Sequence, residues 1–191
     1  MNLFIQKIKD KIDLTTQEEK HLLSIIRTKT YAKNDFFIEP GSICRKVGYI
    51  EKGLMRIYNI DSLSNDTTNW LATDQELITE ILSFINQEPA QEYIQCLEET
   101  TILYITYKDL HNLYKSIPKM HIYTKLVNQD LIIDIKKYLL SNIHLSAEER
   151  YRQLLTVRPS IVKKTPLKYI ASFLGITDST LSRVRRKIVL E

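Results

Sequence analysis

The stretch IASFLGITDSTLSRVRRK, residues 170–187, changes chemistry halfway along. Its first half is apolar around one small residue, Ala171, and one glycine, Gly175. Its second half is hydroxyls and charges: Thr177, Asp178, Ser179, Thr180, Ser182, Arg183, Arg185, Arg186 and Lys187. On a helix these groups suit a polyanion. Short hydroxyls let a backbone approach phosphates. The planar fork of Arg183 matches the O6 and N7 of guanine. Arg185, Arg186 and Lys187, with Lys168 on the preceding helix, suit phosphate contacts that add affinity without sequence information. Asp178 is the exception. It reads as a helix N-terminal dipole partner or cap; accepting from a cytosine amino group and orienting Arg183 are the alternatives.

Two short helices must position these groups. Pro166 to Leu174 forms the first, with Thr165 as N-cap and proline at the first helical position. Asp178 to about Lys187 forms the second. Gly175 lies between them, where a tight turn needs a positive φ. Ala171 allows the helices to cross closely, and Ile170, Leu174, Ile176, Leu181 and Val184 supply the face that joins them. The pair reads as a helix-turn-helix.

Upstream, Ser146 and Glu149 cap a helix through Val157. It ends before Pro159 and a brief extended piece, Ile161-Val162. After Pro118, residues 119–140 contain neither Gly nor Pro, so one helix of more than about 30 Å is expected, with a hinge at Ser141-Asn142. It carries two apolar stripes. Ile122, Leu126, Ile133 and Leu140 follow near-heptad spacing and form the candidate dimerisation seam, diluted by Asp130 and Lys137; simple burial between two parts of one chain is the alternative. Val127, Leu131, Ile135 and Tyr138 form the other stripe.

Earlier still, residues 2–30 read as two helices, the second capped by Thr15 with Glu18. Between 31 and 106 the period becomes that of strands: Phe36 to Ile38, Gly48 to Ile50, Leu54 to Tyr58 and Thr101 to Ile105. Pro40-Gly41, Lys52-Gly53 and the polar stretch Asp61 to Thr68 separate some of them, so an antiparallel sandwich or roll is expected. Leu77 to Phe84 is open between strand and helix, and Lys108 to Ser116 is helical. The fold class is α+β. Its parts are N-terminal helices with an antiparallel β-roll (1–116), a long central helix with its hinge (117–145) and a helix-turn-helix unit (146–191).

Charge supports the division. Residues 145–191 carry ten Lys/Arg against four Asp/Glu, whereas residues 1–144 carry seventeen against nineteen. A basic segment on a mildly acidic body implies a polyanion partner for that segment. No apolar run reaches the roughly 18 residues of a membrane span. The first residues alternate apolar and charged, so no signal peptide is read. A soluble, reducing, cytoplasmic setting is expected, with no membrane contact. Cys44 and Cys96 match no metal-ligand spacing. No nucleophile with a positioned base and no glycine-rich phosphate loop appears, so an enzyme is not expected.

With these residues on the page, the chain resembles the cyclic-AMP receptor protein/Fnr family of bacterial transcription regulators over nearly its whole length. The segments YKDLHNLYKSIPKM and LKYIASFLGITDSTLSRVRRK carry the likeness; AEERYRQLL with RPSIVKKTPLKYIASFLGI is similar to a Bacteroidetes-type branch. The resemblance implies a β-roll sensor like a cyclic nucleotide-binding domain and a homodimer through the long helix. It also implies two helix-turn-helix units on palindromic double-stranded DNA, with RNA polymerase as a further partner.

The sensor departs from the pattern. Family members that bind cyclic AMP have Gly-Glu and, about ten residues on, Arg with Ser or Thr. Here Thr79 precedes Glu80, and the later positions read Ala90-Gln91. No arginine occurs from 57 to 149, and the first lysine after Lys52 is Lys108, so the guanidinium fork for a phosphate is missing. Cyclic-AMP sensing is not expected, and Glu80 reads as solvated or salt-bridged. Glu80, Thr79 and Gln91 remain the candidate effector-pocket residues. Two cysteines fall short of the roughly four an iron–sulfur cluster needs, and His21, His111, His121 and His144 sit singly, so no haem and no metal is expected. Only Ile188 to Glu191 follow the second helix, leaving no room for the family's β-hairpin wing. The expected function is a sequence-specific DNA-binding regulator acting as a homodimer. The alternative is an effector-binding or protein-interaction module whose terminal helices dock a protein.

Overall fold

A computed structural model describes residues 3–189. The N-terminal helices α1 (Leu3–Lys9) and α2 (Thr16–Ile25) form as expected. Thr15 Oγ1 accepts from Glu18 N while the Glu18 carboxylate accepts from Thr15 N. Lys119 donates to the same carboxylate at 2.8 Å, and with the Thr15 N–H this holds the Glu18 pKa down at about 2.

The second expected helix stops sooner than its pattern suggests. Residues Arg27–Tyr31 are strand β1, not helix. The remaining strands are β2 (Phe36–Ile38), β3 (Lys46–Lys52), β4 (Leu54–Ile60), β5 (Asp66–Thr73), β6 (Leu77–Ile78), β7 (Tyr93–Cys96) and β8 (Thr100–Thr106). They build two antiparallel sheets of order β1-β8-β3-β6 and β2-β7-β4-β5. The expected roll is there, with strands that polar composition hides. β1 is an edge strand paired only with β8, so four of its five residues face water. The first half of β5, read as a spacer, pairs at an exposed hairpin tip, Asp66 opposite Ile60. Leu77 to Phe84 divides into β6 and a short helix, α3 (Ile81–Asn86).

The space between the sheets is filled by Tyr31, Phe37, Ile50, Met55, Ile94 and Ile102, among others. Gly48 is there for space: a Cβ would sit 2.5 Å from the Ile102 Cγ2.

The rest of the chain is helical. α4 (Tyr107–Ser116), with the N-terminal helices, leads into α5 (Met120–His144), which runs 25 residues. α5 passes through Ser141-Asn142, so the break lies at Leu145, which is extended, and not at the expected hinge. The Ser146–Glu149 capping box then starts α6 (Ala147–Val157). Residues Pro159–Lys164 form α7, so Ile161-Val162 is helical where an extended piece is expected. Ile161 is fully buried, and packing decides the matter. α8 (Leu167–Phe173) begins without a side-chain cap, because the Thr165 hydroxyl is buried away from it and without a partner. α9 (Asp178–Val189) closes the described chain.

Candidate nucleic-acid interface

α8 and α9 meet through Ile170, Ala171, Leu174 and Leu181, all buried, with Ile176 and Val184 half-buried beside them. The turn has Gly175 at φ +65°, with no atom within 4 Å of where a Cβ would stand. The glycine is therefore there for its backbone freedom and not for space. Thr177 caps α9: its Oγ1 accepts from Thr180 N at 3.2 Å and its carbonyl from Leu181 N at 3.0 Å. The cap expected of Asp178 thus belongs to Thr177. Asp178 stays exposed in the first turn, where a negative charge complements the helix dipole.

At 100° per residue, Leu181, Val184 and Ile188 form the inward stripe of α9. Ser179, Ser182, Arg183 and Arg186 stand opposite, all exposed, with Arg185 and Lys187 at the two rims. Thr180 is half-buried. Among the described residues Arg183 makes one long contact, 3.4 Å from its Nη2 to Thr180 Oγ1. Lys168 is exposed on α8, its ammonium 4.7 Å from the Tyr169 ring centre.

The basic segment is less free than its net charge suggests. Lys187 and Arg152 both bridge to Glu148, whose carboxyl they hold below the usual range, Lys187 foremost. Arg158 bridges to Glu76, and Lys164 to Asp74 and Glu98. Arg150 spans the break, donating to the carbonyls of Leu145 and Leu174. Lys187, expected at phosphate, is thus tied to α6, while Lys163, Lys168, Arg183, Arg185 and Arg186 stand exposed with no carboxylate partner among the described residues. Sequence reasoning passes over the ties of Lys187, Arg158 and Lys164 because their partners lie 39 to 90 residues away in the chain.

On α5 the expected seam is presented outward. Ile122, Ile133 and Leu140 are 40–54% exposed, with Leu126 half-buried on the same side. Ile132, Leu139 and Ile143 widen this aliphatic band. The second stripe divides: Val127 and Tyr138 pack against the chain's own clusters, while Ile135 stays exposed.

The effector-pocket candidates are not brought together. Glu80 is neither solvated nor salt-bridged, contrary to expectation. It is 2% exposed and accepts from Ser83 N at 2.6 Å, capping α3. Thr79 Oγ1 donates to the Lys46 carbonyl, and Gln91 faces solvent. Lys46, which precedes the arginine-free stretch, donates to the Tyr31 hydroxyl at 2.7 Å and sits 4.4 Å over Phe37; burial lowers its pKa. A cleft of about 270 Å³ lies elsewhere, between β5, α5, α6 and the Gly175 turn, and none of the three lines it. Among the described residues no helix is long and apolar enough to cross a membrane.

Residues 28–116 match the family described as the cyclic nucleotide-binding domain. No curated protein sequence matches the chain. Solved structures share its fold. A Crp/Fnr-family transcriptional regulator from Eubacterium rectale aligns with a TM-score of 0.70 at 18% identity, covering 93% of this chain and 85% of its own. The c-di-GMP-responsive global regulator CLP of Xanthomonas campestris gives 0.68 at 14% identity, covering 92% of each chain. A CooA variant from Carboxydothermus hydrogenoformans gives 0.67 at 18%, covering 95% of this chain and 82% of that one.

Proposed function

We propose, from the premise that this chain carries a cyclic nucleotide-binding domain and has the fold of the Crp/Fnr transcription regulators, that it binds specific DNA as a homodimer in the cytoplasm. The observation that carries this is α9. Its inner stripe is anchored by the fully buried Leu181, while its outer face, from Ser179 to Arg186, is exposed, hydroxyl-rich and cationic.

In this reading the N-terminal part of α9 enters the major groove. Arg183 reads a guanine. Ser179, Ser182 and the Thr177 end of the helix approach the backbone. Arg185, Arg186, Lys168 and Lys163 neutralise phosphates. The outward band of α5 buries itself against a second copy, and two-fold symmetry places the half-sites of a palindrome about 34 Å apart. The roll acts as a scaffold and not as a cyclic-AMP sensor, since Glu80 is committed to α3. RNA polymerase is the protein partner through which bound regulator acts.

The test is selection of bound duplexes from a random library, with the winners titrated against salt. A palindrome should emerge, and Arg183→Ala should lower affinity for it by about 1–3 kcal/mol. With about eight phosphates neutralised per dimer, log affinity should fall against log salt with a slope near −7. Weak binding insensitive to salt, with nothing enriched, would leave these helices as a protein-docking surface instead.

A further inference from the structure

The outer face of the β2-β7-β4-β5 sheet is covered by the helices that follow α5. Leu54 and Leu71 from the roll share one apolar cluster with Leu154 and Ile161 from α6 and α7, and with Ile170 and Phe173 from α8. Among these aliphatics sits a cation. Arg56, between Met55 and Ile57 on β4, is 1% exposed. Its Nε donates to Thr68 Oγ1 at 2.7 Å and its Nη1 to Asp66 Oδ2 at 2.9 Å. The guanidinium carbon lies 4.3 Å from the Tyr58 ring centre and 4.0 Å from that of Tyr169. The remaining nitrogen, Nη2, is buried with no hydrogen-bond partner among the described residues.

Adhesion alone does not account for this residue. An aliphatic side chain would fill the site without desolvating a charge, and buried ion pairs are a poor source of net stability. What the guanidinium adds is direction. Its carbon lies close to two ring centres and its edge is held by two oxygens, which restricts where the ring of Tyr169 can lie. Tyr169 is on α8, one residue before the buried Ile170 and Ala171 and six before Gly175. We propose that Arg56 is a positioning residue: it sets the angle at which the roll presents α8 and, through the Gly175 turn, the reading face of α9. The inference rests on the DNA-binding reading and names the part of the roll that controls it.

The test uses the full-length protein and Arg56→Met, which keeps an apolar body and loses the planar charge. Docking is followed by the emission of Trp70, the single tryptophan of the chain. Its ring stands edge-on to Phe173 and Tyr138. Hydrogen exchange in α8 and α9 is followed alongside, with α2, in a separate cluster, as the internal standard. The variant should exchange faster in α8 and α9 but not in α2, and shift Trp70 emission to the red. Affinity for the selected operator should fall about tenfold, with affinity for an unrelated duplex unchanged, because the α9 cations remain. Operator and unrelated duplex weakening together, or neither changing, would overturn the proposal. Tyr169→Leu removes the other half of the stack from a half-buried site. It should reproduce the loss, and the double variant should add little to it; additive losses would also overturn the coupling. Should the unaltered protein select no operator, the DNA reading fails. Exchange and emission then decide alone: a change confined to α8 and α9 supports the positioning, and no change refutes it.

Discussion

Glu80 and Arg183 stand at corresponding places in two regions of the molecule, the roll and the helix-turn-helix. Each is the charged side chain that the sequence marks as its region's candidate contact. Arg183 is exposed, with one long contact to Thr180. Glu80 is buried and spent on the N-terminus of α3. Around it the roll has the same habit: Thr79 bonds to a backbone carbonyl, and Lys46 turns into a cage of Tyr31, Phe37 and Tyr104. A fold is kept by its inward residues, and likeness of fold reports on those. Binding needs groups left facing outward, and α9 presents a row of them, whereas Glu80, Thr79 and Lys46 are turned to partners within the roll.

The sharpest way to break this comparison is to separate two copies of α9. Ile133→Glu with Leu140→Glu places carboxylates in the α5 band. Operator affinity should drop to the level of unrelated DNA, about 1,000-fold or more, with sedimentation showing the monomer. A monomer that still binds the operator tightly would remove the dimer from the account. Next comes the direct contrast of the two charged residues. Arg183→Ala should cost about 10- to 100-fold in operator affinity while leaving the melting temperature alone. Glu80→Ala should do the reverse, lowering stability by about 1–2 kcal/mol through the lost cap and leaving DNA affinity untouched. Cyclic AMP should shift the melting of neither protein. A shift seen in the unaltered chain and abolished in Glu80→Ala would make the roll a working sensor.

The helix-turn-helix is legible in the sequence because its signals are local. Ala171, Gly175, Leu174, Leu181 and Val184 all fall within fourteen consecutive residues. The capping boxes at Thr15 and Ser146 are equally local. β1 and the first half of β5 are hidden because an edge strand and a hairpin tip face water, so their polar residues carry no period. The helical turn at Ile161 is set by tertiary contacts, since that side chain is buried in the cluster shared with the roll. Lys187 finds Glu148, 39 residues away, only once α6 and α9 are packed. Arg56 did leave a trace: a single cation inside LMRIY, where only a paired or stacked charge is tolerated.

Two glycines separate the regions in a smaller way. Gly48 in the roll has no room for a methyl group, with Ile102 Cγ2 at 2.5 Å and Ile78 Cγ2 at 3.1 Å from an ideal Cβ. Gly48→Ala should destabilise the protein by about 1–3 kcal/mol through overpacking. Gly175 has room but a left-handed backbone, so Gly175→Ala should cost about 1–2 kcal/mol through φ alone. Asn at 175 should restore much of that loss, since it tolerates this conformation, whereas Asn at 48 should be worse than Ala. Urea unfolding of the four variants distinguishes a spatial from a conformational need.

The smallest effect expected is on pH, and it concerns the seam between the two regions. Asp66 is held below its ordinary 3.8 chiefly by the hydrogen bond from Arg56. Burial pushes the Asp74 carboxyl up, but the Gly53 N–H and Lys164 outweigh it and the net shift is downward. A carboxylate with a lowered folded pKa stabilises fully above its unfolded value, and that contribution is lost as pH falls through the folded value. Burial pushes Lys164 down, yet Asp74 and Glu98 raise it above 10.5 on balance. Its contribution is full below 10.5 and lost as pH rises through the folded value. Trp70 emission should therefore stay constant across neutral pH, moving to the red below about 3.8 and again above about 10.5. These pairs are partly exposed, so the shift should be modest and shrink in salt. Lys164→Met should abolish the alkaline limb and leave the acid one, which Arg56 holds through Asp66. Loss of both limbs together would mean that the seam opens as one unit, and that Arg56 and the ionic pairs at α7 are not separable supports.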